Sequence, residues 1–239
     1  MLLRAEAVAK HFGGIRAVDD VTFAVAPGEL VGLIGPNGSG KTTLINVMSG
    51  GFAPDAGRIF VDDVPMGGKP AHVFAHHGVG RTFQIPRLFG RMTVLENMIA
   101  PALTRKHAGS RAAIDRRAFE VLDFLSLTAL AECDARTLSG GQQKLLELGR
   151  CLMLEPRLIL LDEPFAGVHP NLLEQLLARI RELNEQGFTI IVVDHNLDAV
   201  RGLVKRLIVM ARGTQIADGD PEAVLRHAHV VDAYTGASS

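Results

Sequence analysis

Three short stretches of this chain combine residue types and spacings that can do chemistry on phosphates. The first is "GPNGSGKT", running Gly35, Pro36, Asn37, Gly38, Ser39, Gly40, Lys41, Thr42 and followed by Thr43. It fits the spacing G-x-x-x-x-G-K-[ST], and an apolar strand precedes it while a helical pattern follows. Glycines let the backbone fold around an anion and aim N–H groups into one concavity. A helix starting near Lys41 adds the positive end of its dipole. Lys41 can then place a point charge between the β- and γ-phosphates, and the Thr42 hydroxyl can ligate Mg²⁺. The second stretch is "LILLDEP", where an apolar strand delivers Asp162 to its carboxyl end, the place where ligands bind in open α/β sheets. Asp162 is expected to hold Mg²⁺, directly or through water. Glu163 is expected to act as general base on the attacking water. These two motifs imply a nucleotide hydrolase or kinase and no more.

The third stretch is "TLSGGQQK", a polar glycine turn at a helix entrance, far along the chain from the first. Ser139 and Gln142 have capping-box spacing, which an ordinary helix start would explain. Capping does not require the adjacent glycines Gly140 and Gly141, which cost backbone entropy there. Bare backbone would leave N–H groups and the helix dipole open to an anion.

The elements that must position these residues read as an alternating α/β chain. Leu2 to Gly28 reads as short alternating strands closed by Pro27-Gly28, an antiparallel patch. "ELVGLIG" reads as a buried parallel strand, and "KTTLINVMSG" as a helix stopped by Gly50 and Gly51. A further strand pair surrounds "GRIFVDD". From about Arg91 to Arg150 the pattern turns helical, opening on the capping box of "TVLE". Strand runs return at "RLILLDEP", "FTIIVVDH" and "RLIVMARG" with helices between them. The helical stretch is therefore a lobe on a doubly wound core. The basic stretch "RKHAGSRAAIDRR" reads as a solvated helix face, or else as a patch for a lipid or a partner.

Composition limits the function classes. A 47% hydrophobic content is enough for a core, and a net charge of −1 gives no basic surface for nucleic acid. Cys133 and Cys151 lie in no CxxC pattern and read as ordinary buried thiols of a reduced, cytosolic protein. The opening "MLLRAEAVAK" has no leader pattern, and no run of about 18 apolar residues occurs. Any membrane role has to come through a partner.

"LSGGQ" (Leu138 to Gln142) resembles the signature sequence of the ATP-binding cassette family, and the resemblance covers almost the whole chain. It implies an α/β P-loop NTPase with a mainly parallel sheet, an N-terminal antiparallel β subdomain and an inserted α-helical subdomain. Residues 1–90 and 151–239 would form the core and the β subdomain of one nucleotide-binding unit, and about 91–150 the helical subdomain. It further implies ATP and Mg²⁺ as cofactors. Two chains would sandwich ATP head to tail, each cradle closed by the other's Ser139, Gly140, Gly141 and Gln142. Other motifs fall in the family's order. Phe12 of "KHFGG" is similar to the aromatic that stacks on adenine. Gln84 of "RTFQ" is similar to the glutamine that touches Mg²⁺ and senses the membrane subunit. His195 of "VVDHN" is similar to the switch histidine at the γ-phosphate. "FAGVHP" corresponds to the loop crossing the dimer axis, with His169 where the family usually has Asp or Asn.

"GRTFQIPRLFGRMTVLENMIA" and the closing "VVDAYTG" resemble importers of branched-chain amino acids and related small polar solutes. "DEPFAGV" and "DHN" resemble the ATPase of lipopolysaccharide export, and a non-transport soluble cassette is a third reading. The importer reading implies integral membrane permeases and a dimer with itself or a paralogue. Indirectly it implies a periplasmic solute-binding protein. It places the chain in the cytoplasm, peripheral on the inner face of the membrane, with no nucleic-acid partner.

Overall fold

The structure is a computed structural model describing residues 1–104 and 109–235. It opens with the antiparallel pair β1 (Leu3–Phe12) and β2 (Ile15–Val25). These strands are longer than their sequence suggests, because register shifts between Ala5 and Lys10, with Ala7 at φ 49°, break the two-residue period. Next come β3 (Leu30–Ile34), α1 (Lys41–Met48), β4 (Ala56–Val61), β5 (Val64–Pro65), α2 (Ala71–His76) and β6 (Val79–Arg81). Three helices follow: α3 (Val94–Ala102), α4 (Arg111–Phe124) and α5 (Gly140–Leu152). The alternation resumes with β7 (Leu158–Asp162), α6 (Pro170–Glu185), β8 (Thr189–Val193), α7 (Leu197–Arg201), β9 (Arg206–Ala211) and β10 (Thr214–Gly219). It ends with α8 (Pro221–Leu225) and α9 (Ala228–Thr235).

The strands form two sheets. One is antiparallel in the order β2-β1-β4-β5, and the other runs β10-β9-β3-β8-β7-β6. In the second sheet every pairing is parallel except β10 with β9 at one edge. β3, β7 and β8 are buried along their whole length, as near-continuous apolar runs must be when helices or sheets cover both faces. Alternate residues then feed two cores. Val31, Leu33, Leu158, Leu160, Ile191 and Val193 face α1 and the inner side of the antiparallel sheet. Leu30, Ile34, Ile159, Leu161, Ile190 and Val192 face the helices, where Met98, Leu122, Leu145 and Leu148 join them. The helical lobe is thus welded to one face of the sheet through a shared core.

Thr93 and Glu96 close the expected capping box on α3. Of the basic stretch, residues 105–108 lie outside the described residues. In the remainder, Arg111 pairs with Asp115 and Arg117 with Glu120 at exposed positions, which is the solvated-face reading. Sequence reading missed α2, β6, β10, α8 and α9. Among the described residues no helix is long and apolar enough to cross a membrane.

Both cysteines are free, but only Cys151 is buried; Cys133 is half-buried, a correction to the expectation of two buried thiols. Burial pushes the Cys151 thiol up to about 12, which suppresses the reactive thiolate. Native protein should therefore react with an aromatic disulfide reagent at Cys133 alone, Cys151 following only on unfolding. Two fast thiols before denaturation would contradict this packing.

Candidate nucleotide site

The cradle is the turn between β3 and α1. Gly35 (φ 151°) and Gly40 (φ 101°) are obligatory for both conformation and space. A Cβ at Gly35 would lie 2.1 Å from the Met210 carbonyl oxygen, and one at Gly40 2.1 Å from that of Ala17. Gly38 (φ 77°) has no neighbour within 4 Å of its Cβ position and leaves the loop's inner side open. Lys41 opens α1 and is buried. Its Nζ donates to the carbonyls of Gly35 (2.7 Å) and Pro36 (3.0 Å) and to Ser39 Oγ (3.4 Å). Burial lowers its pKa, opposed by the charges of Glu163, Asp194 and Asp162. The loop from Asn37 through Thr43 lines a cavity of about 450 Å³, to which Ile15, Arg16 and Glu163 also contribute.

Phe12 ends β1, opposite Ile15 in register. It is 44% exposed and meets Phe52 edge-on at 5.3 Å. It is therefore not a core residue, and Lys10 Nζ lies over its ring at 5.6 Å.

β7 carries Asp162 to the sheet's carboxyl edge, 3% exposed. There Arg81 of β6, a residue the sequence reading passed over, forks across the site. Its Nη2 donates to Asp162 Oδ2 (2.9 Å), and its Nη1 to Asn46 Oδ1 on α1 (2.8 Å) and to Oγ of Ser49, the C-cap of that helix (2.9 Å). Glu163 leaves the strand at φ 48°, outside the usual region for a residue other than glycine. Two backbone bonds hold it there: its N–H donates to the Val193 carbonyl (2.7 Å) and its carbonyl accepts Lys144 Nζ (2.6 Å). Its Oε2 accepts the Gln84 amide at 2.7 Å. Gln84 and Glu163 are thus brought together from sequence-distant loops.

His195 lies just past β8 and is exposed, its Nδ1 3.7 Å from both Glu163 Oε2 and Asp194 Oδ1, beyond hydrogen-bond range. Asp194, unremarked in sequence, is fully buried and accepts the N–H groups of Phe165 (2.9 Å) and Asn196 (2.9 Å). It fastens the "FAGVHP" loop to the histidine's strand end. His169 stands at the N-cap of α6 without a side-chain cap bond and is exposed. An Asp or Asn there would cap the helix; here Pro170 at the first helical position sets the entry instead.

Ser139 caps α5, its Oγ accepting the Gln142 N–H (3.4 Å) and Gln142 Oε1 accepting the Ser139 N–H (2.9 Å). None of Ser139, Gly140, Gly141 and Gln142 lines the chain's own cradle cavity. The two glycines differ. Gly140 is exposed with nothing within 4 Å of its Cβ position, whereas Gly141 is buried, and a Cβ there would fall 1.9 Å from Leu172 Cδ2. Gly140 is open on its Cβ side, and Gly141 lets α5 approach α6.

The donor chemistry fits a magnesium-bound triphosphate. The Thr42 hydroxyl is exposed at the cavity, and Asp162 and Gln84 offer hard oxygen ligands.

Comparison with known proteins agrees with this geometry. A family model described as "ABC transporter" matches residues 18–166. A protein of Archaeoglobus fulgidus named "Probable branched-chain amino acid transport ATP-binding protein LivG" is 39% identical, over 99% of this chain and 96% of its own length. The ADP conformation of MJ1267, an ATP-binding cassette of an ABC transporter, superposes with TM-score 0.90 at 38% identity, covering 98% of each chain. A dimeric, post-hydrolysis state of the cassette MJ0796 with ADP and Pi superposes with TM-score 0.82 at 27% identity, covering 92% of this chain and 98% of that one. The cradle, the capped glycine turn and the strand-end carboxylate pair follow one another in that order along the chain, and with the family match over residues 18–166 and the 39% identity over 99% of its length they make this chain a member of the ABC transporter family, an ATP-hydrolysing cassette subunit.

Proposed function

We propose that this chain powers import of branched-chain amino acids or related small polar solutes through partner permeases, dimerising on ATP. The observation that carries the cargo class is the end-to-end match to a relative of that name. It outweighs the local likeness of "DEPFAGV" and "DHN" to an export ATPase, and it leaves a non-transport role without support.

In this reading the N–H groups of residues 37–43 and Lys41 bind the phosphates, and Phe12 stacks on adenine. Thr42, Asp162 and Gln84 hold Mg²⁺, which when bound neutralises charge between the β- and γ-phosphates. Glu163 takes the proton of the attacking water, with Gln84 and His195 orienting it. Ser139, Gly140, Gly141 and Gln142 would meet the phosphate held by a partner cassette, either a second copy or a paralogue. ATP then glues the two chains, and its hydrolysis releases them.

The groove for the permeases is the segment after Gln84. Ile85 (79% exposed) and Phe89 (51% exposed) present apolar surface. Arginines edge it: Arg87 stacks on Phe83 at 4.1 Å, and Arg150 on Phe89 at 5.0 Å. Such a patch suits short amphipathic helices of membrane subunits. It would hold the chain at the cytoplasmic face of the membrane, with a periplasmic binding protein on the far side and no nucleic acid involved.

The test is uptake of labelled leucine in cells lacking this chain, together with a pull-down of the tagged protein. Uptake should fall and return with the wild-type chain but not with Glu163→Gln, and integral membrane proteins should co-purify. Normal leucine uptake in the deletion strain would refute the cargo assignment, and the absence of membrane subunits would refute the coupling.

A further inference from the structure

The helix that begins at the glycine turn also grips the loop carrying Gln84. Glu147 projects from α5 into the protein and is 5% exposed. Its Oε2 accepts the N–H of Phe83 (3.1 Å) and its Oε1 the N–H of Arg87 (2.9 Å). The two oxygens therefore bracket Gln84 on both sides of its backbone. One turn on, Arg150 donates to the Arg87 carbonyl, so the loop's outgoing end is held by a donor and an acceptor from one helix. One turn before, Lys144 holds the Glu163 carbonyl at 2.6 Å. Lys144, Glu147 and Arg150 are spaced by three residues and so share a face of α5.

A buried carboxylate is costly unless its acceptors are filled. Burial raises the pKa of Glu147, and the two backbone N–H bonds oppose that rise. A side chain placed at such cost needs something to hold, and what it holds is the backbone on either side of Gln84. Gln84 in turn meets Glu163 at 2.7 Å.

We infer that Glu147 is a positioning residue for the hydrolysis reaction: by clamping the Phe83 and Arg87 amides it sets Gln84 against Glu163. Resting on the role proposed above for Gln84, this makes α5 a rigid link between the turn that faces the partner cassette and the loop that faces the permeases. A displacement of Ser139 moves Glu147 and carries the loop with it.

Two measurements on the purified full-length chain test this. Hydrogen exchange should show the Phe83 and Arg87 amides of Glu147→Ala opening about tenfold faster or more, with β3 and β7 unchanged. Turnover of Mg-ATP should fall roughly 10- to 100-fold in kcat, with KM within about twofold, because the cradle is untouched while the reacting geometry loosens. Combining Glu147→Ala with Gln84→Ala should cost no more than Gln84→Ala alone, since both act through the same amide. Should Glu147→Ala fold poorly, Glu147→Gln serves. It retains one accepting oxygen but turns an amide N–H toward the other donor, and it should give an intermediate loss in kcat and exchange. Fully additive losses, unchanged exchange at the two amides, or a KM rise matching the kcat fall would each overturn the inference. Normal turnover by Gln84→Ala alone would instead overturn the role given to Gln84.

Discussion

Glu163→Gln is expected to slow ATP hydrolysis by about 10²–10⁴-fold while leaving ATP bound, because it removes a proton acceptor and little else. The substituted amide is nearly isosteric, and its oxygen can still accept the Gln84 N–H that now lies 2.7 Å from Glu163 Oε2. The contacts that fix the residue's place are backbone ones: the N–H to Val193 and the carbonyl from Lys144. Neither depends on the side chain, so the φ of 48° is held equally in the variant. In the proposed sandwich, separation of two cassettes requires loss of the bridging phosphate, so the variant should accumulate as an ATP-dependent dimer on size-exclusion chromatography. His195 is a competing base, with its Nδ1 3.7 Å from Glu163 Oε2. Near-normal turnover by Glu163→Gln with loss in His195→Ala would transfer the base to the histidine. Loss in both with no ATP-dependent dimer would remove the proposed sandwich instead.

What could be read in the sequence and what could not divides along contact range. The cradle is contiguous: strand, glycines, Lys41 and helix occupy one short stretch, and each constrains the next. The same holds for the capping boxes at Thr93 and Ser139, where donor and acceptor are three residues apart. The residues that sequence reading missed act across the fold. Arg81 meets Asp162 across 81 positions, Glu147 meets Phe83 and Arg87 across 64 and 60, and Asp194 meets Phe165 across 29. Each of these three residues lies inside or beside a motif that was read, yet its own purpose depends on which strands neighbour which. β6 shows the same limit from the other side. A three-residue edge strand has no periodicity to detect, and only its pairing with β7 brings Arg81 beside Asp162. Gly141 was legible as a glycine but not as a packing glycine, because the Leu172 side chain that excludes a Cβ comes from another helix.

Lys41→Ala is expected to abolish useful nucleotide binding while leaving the fold in place, and the structure separates the two effects. The ammonium donates to Gly35, Pro36 and Ser39, so it already points along the inner wall of the loop where phosphate oxygens would sit. A charged donor to an anion is worth roughly 1.5–3 kcal/mol per hydrogen bond, so loss of two such bonds weakens affinity by about 10²-fold or more. The apo protein loses less. Burial already disfavours the charged amine, as its lowered pKa records, so removing it relieves a desolvation cost that offsets the lost bonds to the Gly35 and Pro36 carbonyls. Thermal denaturation with and without Mg-ATP resolves the two terms. At a concentration 100 times the wild-type Kd, ligand linkage stabilises wild type by about 2.7 kcal/mol, and a variant binding 100-fold more weakly by only about 0.4 kcal/mol. For a chain of this size that difference corresponds to a melting shift of roughly 5–10 °C against about 1 °C. Apo Lys41→Ala should melt close to apo wild type. An equal ATP-induced shift in both proteins would remove Lys41 from the phosphate site, and with it the assignment of this cavity as the one where the nucleotide binds.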